Sequence, residues 1–292
     1  MRIAMTGASG FLGTACQKAL IKQGHQIIPL VRRHPRPGEA GWASDAGTVE
    51  TEKLAGIDAA IHLAGESISG RWNSEKKRRI LDSRRNGTRT FANALAGLVP
   101  KPRVLISISG INYYGDRGDE ILTEESAIGD SFLAEVCREW EAATAPASNA
   151  GIRVVTPRLG VVISREGGAL PKMMTPFKFG LGGRLGSGKQ WMSWIALDDA
   201  VAVILHSLKT ESLQGAVNAT SPNPIRNADF SSTLAKALHR PAIFAVPAFA
   251  LRLFAGQMAE ELLLTSTRAL PEKLLESGFK FKHDKLEDAL RQ

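Results

Sequence analysis

The stretch Met1-Arg-Ile-Ala-Met-Thr-Gly7-Ala-Ser-Gly10-Phe-Leu-Gly13 opens the chain and decides its fold. It begins with a short apolar run, and apolar residues recur at helical spacing after Gly10, so the glycines join a buried strand to a helix. An ordinary turn of this kind needs only one glycine. Three glycines, spaced GxxGxxG, are typical of a dinucleotide-binding loop, in which they allow a tight turn, close approach of a pyrophosphate and close packing of helix on strand. The helix N-terminus then offers unpaired N–H donors to the phosphates.

Arg32 and Arg33 follow the second predicted strand, residues 26–31, about 20 residues beyond the glycines. An NAD site usually has an acidic residue here for the ribose 2′-hydroxyl, whereas arginine suits the 2′-phosphate of NADP. No carboxylate stands beside these two arginines in the sequence. We therefore predict NADP as the cofactor, with two merely solvated arginines as the alternative.

The composition argues against several classes of protein. The 292 residues are 43% hydrophobic and 23% charged, and the two cysteines form no disulfide or metal-ligand pattern. The net charge of +8 suggests nucleic-acid binding, but the densest basic cluster, residues 76–85, lacks aromatic residues and fits the solvated face of a helix. Neither a signal-peptide layout nor a long apolar segment is visible. We expect a cytoplasmic monomer or homodimer that binds a small molecule, and not nucleic acid, metal or membrane.

Two later segments point to the same type of site. Asp58-Ala-Ala-Ile-His-Leu-Ala-Gly-Glu66 is an apolar strand running into Ala-Gly, a flat edge on which a nucleotide can lie, and the strand at 104–107 ends in Ser107-Ile-Ser-Gly-Ile-Asn-Tyr-Tyr-Gly115. With the first loop, these segments resemble the short-chain dehydrogenase/reductase superfamily in its extended and atypical branches, most closely the sugar-nucleotide-epimerase-like "epimerase family" proteins. Further signatures of that group extend the resemblance over nearly the whole chain, at residues 70–72, 83–84, 157–162, 186–195 and 198–199.

The strand pattern and the resemblance together predict an α/β fold, a Rossmann-type doubly wound parallel sheet with a smaller C-terminal substrate-side lobe. We expect an NADP-binding Rossmann domain over residues 1–165, its sheet completed by strands near 190–220, and a substrate-side lobe with a C-terminal small domain over residues 166–292. The apolar segment 248–264 fits a partly buried core helix, or alternatively a helix on a membrane surface. Asp198 or Asp199 is expected to cap the helix predicted over residues 200–205.

The usual acid–base pair of the superfamily is missing. Reductases of this kind use Tyr-x-x-x-Lys, in which the lysine and the cofactor lower the tyrosine pKa from about 10 towards neutrality. Neither tyrosine of this chain has a lysine four residues on. On the helix that should carry the pair, the tyrosine position falls at Phe132 or Leu133 and the lysine position at Val136 or Cys137. A buried, structural Cys137 is a better interpretation than an activated thiol.

Four residues are candidates for the missing chemistry: Ser109, Tyr114, Glu135 and Glu66. The resemblance implies that Ser109 polarises a substrate oxygen, and Tyr114 is a second group that could do so. Glu135 is a third candidate, but it lies early in a helix and suits a capping box with Ser131 or Asp130 at least as well. No residue stands out as a general base.

The remaining predicted contacts form two sets. The substrate-side set lies mainly in a long glycine-rich region, which in extended reductases closes over the substrate, and comprises Trp72, Lys189, Gln190 and Trp191. For Trp191, core packing is an equal alternative. The cofactor-binding set is Gly7, Ser9, Gly10, Phe11, Leu12, Gly13, Arg32, Arg33, Leu63, Ala64, Gly65, Glu66, Ser107 and Arg158.

The sequence leaves two functions open. The first is an NADP-dependent oxidoreductase or epimerase acting on a sugar-like or small carbonyl substrate. The second is an NADP(H)-sensing binding or regulatory protein with little or no turnover. The absent Tyr-Lys pair favours the second, and the substrate-side lobe favours the first.

Overall fold

The computed structural model describes residues 1–44 and 46–291 and is built around one large sheet. The strands are β1 Arg2–Thr6, β2 Gln26–Val31, β3 Ala40–Ala43, β4 Thr48–Val49, β5 Ala59–His62, β6 Val104–Ser107, β7 Ser109–Gly110, β8 Ile121–Leu122, β9 Arg153–Leu159, β10 Val161–Ile163, β11 Gly183–Leu185, β12 Trp191–Met192, β13 Trp194–Ala196, β14 Gly215–Ala219, β15 Ile225–Arg226, β16 Phe244–Val246 and β17 Arg268–Ala269.

Among the described residues, nine strands form the central sheet, in the order β14-β9-β6-β5-β1-β2-β3-β4, with β7 beside β9. Its strand pairs are parallel except for β3 with β4 at one edge. The chain order reverses between β1 and β5, so the carboxyl ends of these strands border the crevice where open α/β sheets bind ligands. The predicted Rossmann-type, doubly wound sheet is confirmed, and β14 is a late strand that completes it. The sequence of residues 34–56 also predicts one short strand near Trp42 with Asp45 after it; the strand is β3, and Asp45 lies outside the described residues.

Helices cover both faces of this sheet. Because side chains alternate along a strand, Ile3 and Met5 of β1 join one core cluster and Ala4 joins the other. The first cluster lies under α1 and α6, and the second lies under α2 and α4. The helices are α1 Phe11–Lys22, α2 Ser74–Ala96, α3 Phe132–Ala142, α4 Ala145–Asn149, α5 Leu170–Lys178, α6 Leu197–Lys209, α7 Asn227–Leu238, α8 Ala248–Ala255, α9 Gln257–Ala259, α10 Glu272–Glu276 and α11 Leu286–Ala289.

The long helix α2 contains the basic cluster of the sequence. Its N-cap is Asn73, whose side chain accepts the backbone N–H of Lys76 at 2.7 Å. The basic side chains form ion pairs with nearby acidic groups, such as Arg79 with Glu75, while Ile80 on the opposite face is buried. Most of the cluster therefore lies on the outer, solvated side of an amphipathic helix, as the sequence suggested, whereas Arg84 packs on the Trp140 ring.

The C-terminal part of the chain packs against the first part at several places. Helices α5, α7 and α11 enclose a separate apolar cluster around Trp194. Strand β17 pairs with β8, so residues near 268 lie beside residues near 121. The expected division of the chain at residue 165 stays a prediction.

The expected cap of α6 is wrong. Helix α6 begins at Leu197, and its N-cap is Ala196, which provides no side-chain hydrogen bond. Asp198 and Asp199 therefore lie inside the first turn. The buried carboxylate of Asp199 instead accepts the backbone N–H groups of Lys282 at 2.8 Å and His283 at 2.9 Å, which fastens the C-terminal segment to the helix.

The interpretation of residues 248–264 as one partly buried core helix is also wrong. Gly256 has a φ of 59° and separates α8 from α9, so the chain changes direction there. Helix α8 has no buried residue, and its Phe249, Leu253 and Phe254 side chains are 70%, 68% and 80% exposed. No helix among the described residues is long and apolar enough to cross a membrane.

We expect Asp199→Ala to lower the free energy of unfolding by about 2–4 kcal/mol, because two partly buried N–H groups lose a charged acceptor. Asp198→Ala is the matched control. Asp198 pairs with Lys282 in an exposed position, so its loss should cost less than about 1 kcal/mol. Urea unfolding followed by tryptophan fluorescence measures both changes, and equal effects of the two variants would contradict the expectation.

Both cysteines are buried, and neither has the low pKa of a reactive thiol. Burial raises the pKa of Cys16 to about 12 and that of Cys137 to about 11. At pH 8, a thiol with the latter pKa is ionised in only about one molecule in a thousand. We expect a disulfide reagent at this pH to leave the folded chain unlabelled and to label both thiols after denaturation. Rapid labelling of the native protein, abolished by Cys137→Ala, would show instead that Cys137 is an accessible, activated thiol.

Candidate functional site

The glycine loop lies between β1 and α1, as predicted, and its glycines have different surroundings. Gly7 has a φ of 68°, and a Cβ there would lie 2.7 Å from the carbonyl carbon of Leu63. A Cβ on Gly13 would lie 2.1 Å from the carbonyl oxygen of Gly7. Gly10, by contrast, is exposed and is the N-cap of α1, without a side-chain hydrogen bond to the helix. Two glycines are therefore required by packing, and the third leaves the N-terminus of α1 open to a phosphate.

The other predicted residues of this loop surround that opening. Ser9 is exposed, and Leu12 is a half-buried member of the adjoining core cluster. Phe11 packs against a later loop, since a Cβ on Gly167 would lie 2.6 Å from its ring. The segment around Gly167 thus covers one side of the helix N-terminus.

Residues 63–66 continue from β5 beside the glycine loop. His62, at the end of β5, is fully buried between Thr6 Oγ1 at 2.7 Å and Thr88 Oγ1 at 2.9 Å, and burial lowers its pKa to about 3. It is a packed, neutral histidine and not an available base. Leu63 and Ala64 lie against Gly7, Gly65 lies next to an arginine of α2, and Glu66 pairs with Lys76 at 2.7 Å.

The two arginines after β2 differ in their contacts. Arg33 forms a double hydrogen bond with Glu39, at 2.8 and 2.6 Å. The expectation that no carboxylate lies close to this pair is therefore wrong, because the chain returns after β2 and brings Glu39 back. Arg32 is exposed and borders a depression of about 480 Å³ that Trp42 and Glu50 also line. Of the two, Arg32 is the one open to a 2′-phosphate.

Ser107 and Ser109 lie at the carboxyl end of β6 and in β7. Both hydroxyl groups are buried; that of Ser107 has no hydrogen-bond partner among the described residues, and that of Ser109 has only the neighbouring Cys137 thiol, a weak partner. Next to them, the Cys137 thiol donates to the carbonyl oxygen of Gly110 at 3.5 Å. Buried hydroxyls without strong partners are unusual in a folded protein, and these two mark a place where a ligand could supply the partner. The open glycine loop and these two hydroxyls fit a dinucleotide and a substrate along this edge of the sheet.

Tyr114 does not lie with Ser109. Its ring is fully buried, its hydroxyl donates to Asn218 Oδ1 at 2.7 Å and accepts from Arg158 at 2.9 Å, and burial raises its pKa to about 12. Arg158 is itself buried, forms a double hydrogen bond of 2.8 Å with Glu141, and lies 3.5 Å from the ring centroid of Tyr113. Arg158 is thus buried and bonded to Glu141 and Tyr114 through three of its five N–H groups, which assigns it to packing within the protein.

Glu135 is placed apart from the other candidates. It lies on the exposed side of α3 and pairs with Arg138 of the next turn. The predicted capping residue of this helix is Ser131, whose hydroxyl accepts the backbone N–H of Ala134 at 3.1 Å. The helix cap expected at Ser131 is confirmed, but Glu135 takes no part in it.

The predicted substrate-side residues are held mostly by contacts within the protein. Trp72 is buried and donates to the carbonyl oxygen of Ile68 at 2.8 Å. Gln190 is buried and donates to two carbonyl oxygens, and Trp191 donates to Asp119 and lies between two arginine side chains. Lys189 is exposed, and its carbonyl oxygen accepts from Arg226. The structure does not bring Gln190 and Trp191 together with Ser109, and their contact with substrate stays a prediction.

The sequence analysis missed Arg84 as a residue of the site. Its guanidinium lies on α2 over the Trp140 ring, 4.7 Å from the centroid, and a Cβ on Gly65 would come within 3.3 Å of its Cζ. The signal was present in the sequence. Arg84 lies four residues after Ile80 and four before Thr88, both buried, so a charged residue stands on the core-facing side of the helix.

Two family models match the chain. The NAD dependent epimerase/dehydratase family matches residues 3–219, and a domain of unknown function, DUF1731, matches residues 246–292. Epimerase family protein YfhF of Bacillus subtilis is 40% identical over 299 residues, which cover 100% of this chain and 97% of YfhF.

Solved structures give the same assignment. The crystal structure of human epimerase family protein SDR39U1 with NADPH superimposes with a TM-score of 0.91 and 32% identity, covering 100% of this chain and 98% of the human chain. A nucleoside-diphosphate sugar epimerase from Corynebacterium glutamicum has a TM-score of 0.84 and 39% identity, over 99% of this chain and 57% of that chain. From the glycine loop to the C-terminal domain, the chain belongs to the NAD dependent epimerase/dehydratase family, in its group of epimerase family proteins.

Proposed function

We propose that this protein binds NADPH and uses it as an oxidoreductase or epimerase on a sugar-like or small carbonyl substrate. The observation that carries the proposal is the open N-terminus of α1 at Gly10, with the exposed Arg32, which forms no ion pair with another described residue, at the end of the neighbouring strand. NADPH in the human relative and the sugar nucleotide named for the Corynebacterium relative support it. A cytoplasmic location, a small-molecule substrate and a monomeric or homodimeric state complete the proposal.

In this proposal, different residues along the sheet edge bind different parts of the cofactor and the substrate. The N–H groups at the start of α1 take the pyrophosphate, Arg32 takes the 2′-phosphate, and residues 63–66 form the backbone edge beside the cofactor. Bound NADPH supplies a hydride. The Ser109 hydroxyl, whose only neighbouring partner among the described residues is the weakly hydrogen-bonding Cys137 thiol, hydrogen-bonds the substrate oxygen and polarises it. We assign Tyr114 and Arg158 the task of holding β9 and β14 in place behind that hydroxyl.

A specific observation favours the second function, an NADP(H)-sensing protein with little turnover. On α3, the positions of the usual tyrosine and lysine carry Phe132 or Leu133 and Val136 or Cys137. Leu133, Val136 and Cys137 are buried and Phe132 is half-buried, and none of the four titrates near neutral pH as an acid or base. Such a site binds its cofactor through the residues described above, but it lacks the superfamily's proton donor.

Cofactor preference tests the first step of both functions. We expect NADPH to quench tryptophan fluorescence at lower concentration than NADH, and Arg32→Gln to raise the dissociation constant for NADPH about tenfold or more while leaving that for NADH unchanged. Arg33→Gln is the control and should have the smaller effect, because Arg33 is already engaged by Glu39. Tighter binding of NADH than of NADPH would overturn the preference.

Turnover separates the two functions. A panel of sugar nucleotides and small carbonyl compounds, with NADPH oxidation and epimer formation as readouts, should reveal activity that falls about 10²-fold in Ser109→Ala, because the variant loses one oxygen-polarising donor. NADPH affinity should stay unchanged in this variant. Activity that survives the substitution would remove Ser109 from its role, and a panel without turnover would favour the sensing function.

A further inference from the structure

The guanidinium of Arg84 is held rigidly from two sides. Its Nη1 donates to the carbonyl oxygen of Glu66 at 3.0 Å and to that of Ile80 at 3.2 Å. Its flat face lies on the Trp140 ring of α3. An arginine fixed in this way loses little further conformational freedom when it binds a ligand.

Two donors of this guanidinium remain unused. Neither Nε nor Nη2 has a hydrogen-bond acceptor among the described residues. Gly65 lies over the face of the guanidinium on the side of these two atoms, since a Cβ there would lie 3.3 Å from Cζ, 3.4 Å from Nη2 and 3.6 Å from Nε. The glycine thus leaves uncovered a pair of parallel N–H donors, the arrangement that binds two neighbouring oxygen atoms.

The strand order indicates which part of a dinucleotide would meet these donors. Arg32 follows β2 and the glycine loop follows β1, whereas Gly65 follows β5 and Ser109 lies beyond β6. With the 2′-phosphate at β2 and the pyrophosphate at β1, the other half of the molecule extends over β5 and β6. That half carries the nicotinamide and its ribose, whose two hydroxyls are neighbouring oxygen atoms.

Arg84 also lies close to the place where the superfamily has its lysine. The charge of Arg84 acts on Cys137, one of the two residues at the lysine position of α3, and Trp140 lies one turn beyond Cys137 on the same helix. We propose that Arg84 replaces the missing lysine as the cation of the cofactor site, binding the hydroxyls of the ribose next to the nicotinamide through Nε and Nη2. This assignment rests on the proposed binding of NADPH.

Dissociation constants for intact and truncated ligands test the position of this contact. Arg84→Gln should weaken the binding of both NADPH and NADH about ten- to a hundredfold, because a charged pair of hydrogen bonds is lost. It should leave unchanged the binding of adenosine 2′,5′-bisphosphate, which lacks the nicotinamide half. Arg32→Gln should behave differently, weakening NADPH and the bisphosphate but not NADH.

The neighbouring Arg85→Gln is the matched control. Arg85 lies on the same helix and pairs with Asp82 at 2.9 Å, away from Gly65, so its removal should leave all three affinities unchanged. Melting temperatures of the variants show whether each one is folded. An Arg84→Gln protein that binds the bisphosphate normally contains an intact glycine loop, so its weak binding of NADPH is not a folding defect.

The pH dependence of NADPH binding by Arg84→Lys separates a direct contact from a structural role. Only a direct contact makes the affinity follow the charge of the side chain at position 84. Burial disfavours the charged form and lowers the pKa of a lysine, so NADPH affinity of this variant should be present near pH 7.5 and decline towards about pH 9.5. The wild type should show no such decline, since an arginine stays charged over this range. The titratable groups facing position 84 are His62 from β5, with a pKa of about 3, Cys137 from α3, with a pKa of about 11, and Glu66, whose pKa is lowered by Lys76. None of them changes its charge in that interval.

The possible outcomes separate the two levels of the proposal. If the wild type binds neither NADPH nor NADH, the proposed function itself fails. If the wild type binds NADPH and Arg84→Gln binds it equally well, only the assignment of Arg84 is overturned. Loss of bisphosphate binding in Arg84→Gln would also overturn it, because the residue would then act through the fold and not through the ribose.

Discussion

The contact between the backbone of Gly7 and that of Leu63 and Ala64 sets the geometry on which the site depends. At Gly7 and Gly13, an added methyl group would overlap backbone atoms and not the movable end of a side chain. No larger residue fits there unless β1 separates from β5 or α1 separates from β1. The glycines thereby fix the distances between the phosphate loop, the first helix and residues 63–66. A site that is held in this way before a ligand arrives spends little of its binding energy on ordering itself.

His62 extends this arrangement to α2. It joins Thr6 of β1 to Thr88 of α2 through its two ring nitrogens, so three elements meet at one buried side chain. Its pKa of about 3 keeps the imidazole neutral, and the nearby charge of Arg84 is one cause of that low value. A neutral ring beside Arg84 adds no repulsion to the cation. The two hydrogen bonds of His62 help to fix the position of α2, and therefore that of Arg84 over Gly65. These bonds do not change with pH in the physiological range.

The parts of the fold that sequence reasoning recovered are those set by local patterns. The strand–loop–helix at the N-terminus, the apolar strands and the Ser131 cap depend on residues close together in the chain. The errors concern contacts between distant residues. Asp199 binds the backbone at 282–283, 83 and 84 residues away, and this contact displaces the capping role that its sequence position favoured. Burial of a segment such as α8 depends on whether another element covers it, which its own periodicity does not reveal.

The same limit applies to the site. The glycine loop and Arg32 could be proposed from their spacing in the sequence, whereas the proposal for Arg84 depends on its position relative to Gly65 and Trp140, which only the fold brings together. The partners of Tyr114 were equally hidden, since Asn218 is 104 residues away. The sequence made Tyr114 a candidate for polarising a substrate oxygen, but long-range packing gives its hydroxyl two protein partners.

Replacing a lysine by an arginine also changes what the site can do with a proton. An arginine stays protonated at every physiological pH, so it can hold and orient a sugar but cannot pass a proton to a substrate. Ser109 polarises an oxygen without supplying an acid, and the neighbouring thiol, with a pKa of about 11, is a poor donor of protons. Hydride transfer to a carbonyl produces an alkoxide, which needs a proton or a delocalised charge. With Ser109 and Arg84 in their proposed roles, we therefore expect a preference for substrates that carry their own acidic group or spread the new charge over a conjugated system.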